Sequence, residues 1–204
     1  MDECCDIEVK DLQRKQKLAL FFALLINVAF FFGEGIAGFV AQSSSLLADA
    51  VDMGGDALVY CLSLIAITHT MKFKSKVAIF SSGFELILGI VVLVETTSKF
   101  FREVEPISST MFFVGSLALL GNLTAGFFLV RHKDQDINMK AVWLCTRNDI
   151  LNNFFTLLAA GGVFLTHAKW PDLVAGYIIA GLIVFFAVRV LRESFLVHKN
   201  SQKN

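Results

Sequence analysis

LLADAVDMGGDAL, residues 46–58, places Asp49, Asp52 and Asp56 in a segment that otherwise reads as a membrane-crossing helix. Asp52 and Asp56 are four apart and stack on one helix face, with Asp49 about a turn earlier. An acid inside a span costs roughly 2.5–3.5 kcal/mol on insertion scales, so it marks a protein-lined interior rather than a lipid-facing wall. Whether this segment lies in a membrane is decided by its surroundings.

Those surroundings are apolar. Of 204 residues 55% are hydrophobic and 18% charged, with a mean hydropathy of +0.65, which is too apolar for an ordinary soluble domain. Six blocks, near 18–41, 46–68, 77–101, 110–130, 141–165 and 171–192, each approach the roughly 20 residues that cross a hydrocarbon core. The first is too long for the apolar core of a signal peptide and holds Asn27 and Glu34, so it counts as a span. The expected fold class is an all-α membrane protein of six transmembrane helices. A tail at 1–17, a transport domain at 18–192 and a second tail at 193–204 divide the chain. The linkers leave no room for another folded domain, and none is expected after Arg192.

Lys and Arg set the orientation. Lys10, Arg14, Lys15 and Lys17, then Lys72, Lys74 and Lys76, then Arg131, Lys133 and Lys140, then Arg189, Arg192, Lys199 and Lys203 fall on one side. Only Lys99, Arg102 and Lys169 fall on the other, with Arg147 inside span five. Fourteen against three predicts both termini in the cytoplasm. Trp170 and Tyr177 near the outer boundary and Trp143 near the inner one suit interfacial aromatics. A net charge of zero and no leftover basic patch give no reason to expect a nucleic-acid partner. Cys4, Cys5, Cys61 and Cys145 read as reduced thiols, and Cys4–Cys5 as part of an acidic tail.

The acids within the spans are Glu34, Asp49, Asp52, Asp56, Glu85, Glu95 and Asp149. Span five repeats the pattern of span two in KAVWLCTRNDILNN (140–153): Cys145 and Asp149 are four apart, with Asn153 a turn beyond. At 1.5 Å per residue, Asp56 lies roughly 15 Å from the outer end of span two and Asp149 roughly 14 Å from the inner end of span five. Both pairs therefore reach the middle of a core about 30 Å thick. Asp52, Asp56, Cys145 and Asp149 can supply four O and S ligands to a divalent ion, a tetrahedral set. Asp49 reads either as a helix cap or as a pathway residue. Glu34, Glu85 and Glu95 read as hydrogen-bond partners or proton carriers. Asn27, Asn148, Asn152 and Asn153 read as helix–helix glue, with Asn153 nearest the site. His69, His132, His167 and His198 fall at span ends or in linkers and read as solvated. The glycines of GEGIAG (33–38) and AAGG (159–162) suit close helix packing.

At these residues the chain resembles the cation diffusion facilitators. The carriers of the resemblance are SSSLLADAVDMGGDALVYCLSLIA (43–66), the stretch from Cys145 to Ser194, and Asn27 with Glu34 in span one. The likeness covers about residues 15–195. It implies six spans, proton-coupled export of a divalent metal from the cytoplasm across the cell membrane, and a homodimer. Its transport site maps onto Asp52, Asp56, Cys145 and Asp149. Two departures stand out. Cys145 occupies a position where most members have histidine, or sometimes aspartate. No cytoplasmic ferredoxin-like domain is expected after span six, and the fourth linker RHKDQDIN (131–138) is short and not histidine-rich, so the chain reads as a short, membrane-only member.

The expected function is export of Zn²⁺ ahead of Cd²⁺, Co²⁺ or Fe²⁺, with protons as counter-substrate, the bilayer as solvent and no cofactor beyond the transported ion. Three carboxylates and a thiolate around a dication carry a net charge of −2, so protons must be shed as metal binds. Two other readings compete. A small organic-cation exporter needs one acid, fewer than this chain supplies. An intramembrane aspartyl protease needs a G-x-G-D element, and here Met53 stands at the first glycine and no Tyr-Asp pair exists. No catalytic residues are expected.

Overall fold

A computed structural model describes residues 2–66, 71–130 and 137–200 of the chain. His69, His132, Arg131, Lys133 and Lys203 of the sequence reading lie outside them. The described residues form six helices and no strand: α1 (Asp2–Val40), α2 (Ser44–Ala66), α3 (Met71–Phe100), α4 (Ser108–Val130), α5 (Ile137–Thr166) and α6 (Trp170–Asn200). Five carry stretches long and apolar enough to cross a membrane: Lys17–Val40, Ala78–Phe100, Ser108–Phe127, Cys145–Thr166 and Trp170–Leu196. The α2 helix is long enough but is interrupted by its three aspartates.

The packing order resolves that exception. The α2 helix packs against α1, α3, α5 and α6, while α3 pairs with α6 and α4 with α5. Its acids therefore meet protein rather than lipid, which makes their cost bearable. The outward faces carry Phe32, Phe39, Phe80, Phe112, Phe113 and Phe164 among many exposed large apolar residues. Such a surface suits acyl chains, and helices with every internal backbone bond made are the elements that can live there. The chain is a multi-pass membrane protein.

The turns explain how the helices stop. The α1 helix ends with Gln42 at φ 54°, and Ser43 N–H donates back to Gly38 O at 2.9 Å while Gln42 N–H donates to Phe39 O at 3.3 Å. This is the two-bond helix stop in which one residue enters the left-handed region. His167, at φ 49°, ends α5 by a similar device, its N–H donating to Val163 O at 2.8 Å. Ile107 N–H donates to Ala41 O at 3.0 Å, and Lys169 Nζ donates to the carbonyls of Lys99 (3.3 Å), Phe100 (2.9 Å) and Arg102. The α1–α2, α3–α4 and α5–α6 connections thus gather at one end of the bundle.

At that end the α2 N-terminus is held from another helix. Ser43 Oγ accepts from Leu46 N–H at 3.2 Å, an ordinary N-cap. Asp172, in the first turn of α6, accepts from Ser43 Oγ (2.7 Å), Ser44 N–H (2.6 Å), Ser45 N–H (3.0 Å) and Ser45 Oγ (2.7 Å). A carboxylate at a helix N-terminus is favoured by the unsatisfied amides and the helix dipole. Of the two readings of Asp49, the cap is taken by Ser43 and Asp172, and Asp49 lies deeper in the helix.

Candidate metal centre

The α2 face that carries Asp52 and Asp56 continues to Tyr60, again four residues on. Tyr60 Oη donates to Asp56 Oδ2 at 3.1 Å. The Cys145 thiol of α5 donates to the same carboxylate across the α2–α5 interface. One turn away, Asn152 Nδ2 of α5 donates to Asp52 Oδ2 at 2.6 Å. These contacts fix the antiparallel register of the two helices: residue 52 faces 152, and 56 faces 145 to 149.

Asp149 is fully buried, and neither of its carboxylate oxygens has a hydrogen-bond partner among the described residues. Its charge interacts with those of Asp56, Asp52 and Asp49. All four sequence-predicted ligands thus converge on one α2–α5 seam, in different states of engagement. Asp56 and Cys145 touch, Asp52 is held by an amide, and Asp149 stands bare. Among the described residues no three His, Cys, Asp or Glu side chains draw close enough to hold an ion at once.

Glycines set the walls of the seam. A Cβ on Gly54 would meet the Phe31 ring of α1 at 2.7 Å, so that helix approaches because the side chain is missing. A Cβ on Gly55 would meet Glu85 Cγ at 3.2 Å, which puts the Glu85 carboxyl of α3 against the turn between Asp52 and Asp56. Glu85 interacts electrostatically with both.

Two apolar clusters flank the seam, one toward each end. Leu20, Ala23, Tyr60 and Leu129, with Trp143 and Cys145 packed on them, lie on the side away from the α1–α2 turn. Leu46, Met111, Ala159, Ala160, Val163 and Ala175 lie on the side of that turn. The acids lie between these two apolar plugs, with Asp52 and Cys145 only partly buried.

Several residues here carry more than the sequence reading assigned. Asn152, read as glue, is the side-chain donor to Asp52, whereas Asn153, read as nearest the site, gives its amide N–H to the backbone carbonyl of Asp149 at 2.7 Å. Tyr60 was legible only through its spacing from Asp56, and the neighbourhood of Glu85 only through the glycine it covers. Asp172 could not be found from sequence, because its partners lie 127 to 129 residues away. Glu95 is exposed and faces Arg102 at 3.9 Å, outside the seam. His167 is exposed, 3.6 Å from Glu105.

Residues 20–197 match the family described as the cation efflux transmembrane domain. Among the relatives, the zinc transporter ZitB of Yersinia pestis is 28% identical over 191 residues, covering 86% of this chain and 61% of its own. The probable zinc transporter MSC2 of Saccharomyces cerevisiae is 30% identical over 202 residues, covering 88% of this chain and 27% of its own. The cadmium, cobalt and zinc/H(+)-K(+) antiporter of Bacillus subtilis is 22% identical over 192 residues, with 87% and 62% covered. The chain spans about three fifths of the length of the bacterial relatives it matches. With the family match running through nearly all the described helices, the chain belongs to the cation efflux family, the cation diffusion facilitators, through their transmembrane domain.

Proposed function

We propose that this chain exports a divalent metal cation, Zn²⁺ first, by proton-coupled antiport through a midplane site formed by Asp52, Asp56, Cys145 and Asp149. The observation that carries the reading is the Cys145 thiol donating to the Asp56 carboxylate between α2 and α5. That contact joins one member of each i, i+4 pair and holds a proton where a metal ligand would otherwise bind. The thiol must lose that proton to ligate, so metal entry and proton release are one event. Proton return from the far side reverses it. The names of the relatives, zinc transporters and a metal/proton antiporter, support both halves of the exchange.

Charge explains why the exchange is tight. A dication with all four groups ionised leaves two uncompensated negative charges in a low-dielectric seam, and without metal four would remain. Neither state is stable without protons, so the site alternates between metal-loaded and proton-loaded forms. The two apolar plugs supply the other requirement, a barrier on each side that opens in turn as helix groups rock about a midplane site. A catalytic reading finds no support in the seam: Asp56 and Asp149 are paired with a thiol and a bare pocket, and Met53 occupies the position a protease needs for glycine.

The test is Zn²⁺ and Cd²⁺ uptake into everted vesicles under an imposed pH gradient. Wild-type protein should accumulate metal and alkalinise the vesicle as protons leave. Asp56→Ala and Asp149→Ala should each abolish uptake while the protein still inserts. Near wild-type uptake by both variants would sink the central site.

A further inference from the structure

Between the Asp52–Asp56 pair and the apolar plug at Leu46 lies a second group of acids, Glu34 on α1 and Asp49 on α2. Both are fully buried, and none of their four carboxylate oxygens has a hydrogen-bond partner among the described residues. Helix packing sets them side by side. Gly38 abuts Leu46 and Leu47, Gly35 abuts Ala50 and Gly54 abuts Phe31, so α1 and α2 run antiparallel with Glu34 beside the turn that carries Asp49. The two carboxyls interact electrostatically with each other and with Asp149.

Neutral groups on α5 reach the same level. The Asn152–Asp52 hydrogen bond fixes the α2–α5 register, and that register sets Asn153 and Thr156 level with Asp49. Both side chains are fully buried, and neither Asn153 Oδ1 nor Thr156 Oγ1 has a hydrogen-bond partner among the described residues. The amide of Asn153 is turned by its own bond to the Asp149 carbonyl, which leaves its oxygen free. Five acceptor oxygens and one hydroxyl, all buried without a hydrogen-bond partner among the described residues, thus lie at one level of the bundle. A buried acceptor without a donor is costly, and a buried carboxylate more so, a cost that a bound proton or a bound cation relieves.

We propose that Glu34 and Asp49, completed by Asn153 Oδ1 and Thr156 Oγ1, form a second cation station between the central ligands and the apolar plug at Leu46. It rests on the reading that a divalent cation passes through Asp52, Asp56, Cys145 and Asp149. Its ligands are all oxygen, whereas the central set includes sulfur. Zn²⁺ and Cd²⁺ are held less firmly by carboxylate and carbonyl oxygen than by thiolate, so transfer from the first to the second loosens the ion. Asp149, within electrostatic reach of both groups, is the carboxylate they share along the path.

The test uses the full-length purified chain and Cd²⁺ alone, titrated by calorimetry with ultraviolet absorbance read in parallel. A Cd²⁺–thiolate bond gives a charge-transfer band and an all-oxygen site gives none. Wild type should bind two equivalents, one with the band and one silent. Glu34→Gln and Asp49→Asn should each keep the band at full intensity, which also reports the fold, and lose the silent equivalent. A silent equivalent that is absent from wild type, or that survives in both variants, overturns the second station. If the band is missing in wild type while a silent equivalent is lost in Glu34→Gln, the central reading fails and the second station stands. Should both acid variants lose the band as well, Thr156→Val decides the matter. It should weaken the silent equivalent by about tenfold, and unchanged affinity overturns the proposal.

Discussion

Cys145 is the one sulfur among the four proposed ligands, and its environment constrains its role. It donates to Asp56 and packs beside Tyr60 and Trp143. A Ser at the same position can still donate to Asp56 and nearly fills the space. A packing role therefore predicts that Cys145→Ser behaves like wild type for every metal. A ligand role predicts that Cd²⁺ transport falls more than Zn²⁺ transport, because a hydroxyl is a hard and reluctant ligand. We expect the Cd²⁺-to-Zn²⁺ ratio in everted vesicles to drop at least about tenfold, the loss that even an outer-shell partner of a ligand causes. Cys145→His should restore Zn²⁺ while staying poorer for Cd²⁺. At Asp52 the argument turns on Asn152, whose amide lies 2.6 Å from one carboxylate oxygen. Asn152→Ala leaves the four ligands intact but frees Asp52 to rotate, so Zn²⁺ affinity should fall about 10-fold to 100-fold in equilibrium binding. An unchanged affinity would reduce Asn152 to the helix glue that its residue type suggests.

At the scale of elements, α2 depends on contacts it does not make for itself. Its acids oppose insertion as an isolated span, and its N-terminus is fastened by Asp172 of α6 through four hydrogen bonds. Asp172→Ala strands buried serine hydroxyls and backbone amides, at a cost of about 3 kcal/mol or more. Thermal unfolding in detergent should show that loss as a melting point several degrees lower, and an unaltered melting point would show that water replaces the carboxylate. Close packing makes a sharper, paired case. A Cβ on Gly176 would lie 2.7 Å from Ser44 Cβ and 3.1 Å from the Ser44 carbonyl carbon, where backbone cannot give way. A Cβ on Gly33 would meet nothing within 4 Å. Gly176→Ala should cost about 1–3 kcal/mol, whereas Gly33→Ala should be neutral or stabilising by up to about 1 kcal/mol through helix propensity. The same melts measure both, and equal effects would contradict this packing.

For the whole molecule, the direction of transport follows from which end faces the cytoplasm. The bundle gathers the α1–α2, α3–α4 and α5–α6 connections at one end, and the Lys and Arg distribution predicts that this end lies outside. A topology reporter fused after Lys133 should read cytoplasmic, and one fused after Gln42 should read external. The reverse result would invert the direction in which the cation moves. The two plugs add a molecular-scale expectation, because apolar packing lies on either side of the seam. A thiol reagent applied from either side should reach Cys145 slowly in wild type. It should reach it faster once Leu46→Ala thins the plug near the α1–α2 turn. Equal rates in the two proteins would show that this plug is no barrier.

Sequence by itself determined the all-helical membrane architecture, the helix count and the four-residue spacing of the two proposed ligand pairs. Those features are local: apolar length sets a span, and the helical repeat sets which residues share a face. The observed helices begin and end within a few residues of the apolar blocks, except where α1, α3, α5 and α6 continue beyond membrane length. Tertiary structure alone decided which buried acids are held and which stand bare. Asp52 and Asp149 are equivalent by spacing, yet one meets an amide and the other meets nothing. It also decided that Asp172, remote in sequence, caps α2, and that Glu34 and Asp49 face each other across α1 and α2. Such pairings depend on the register and rotation of neighbouring helices, which close contacts at glycines and single interhelical hydrogen bonds select. No one helix's sequence contains that information, because it arises only when two surfaces meet.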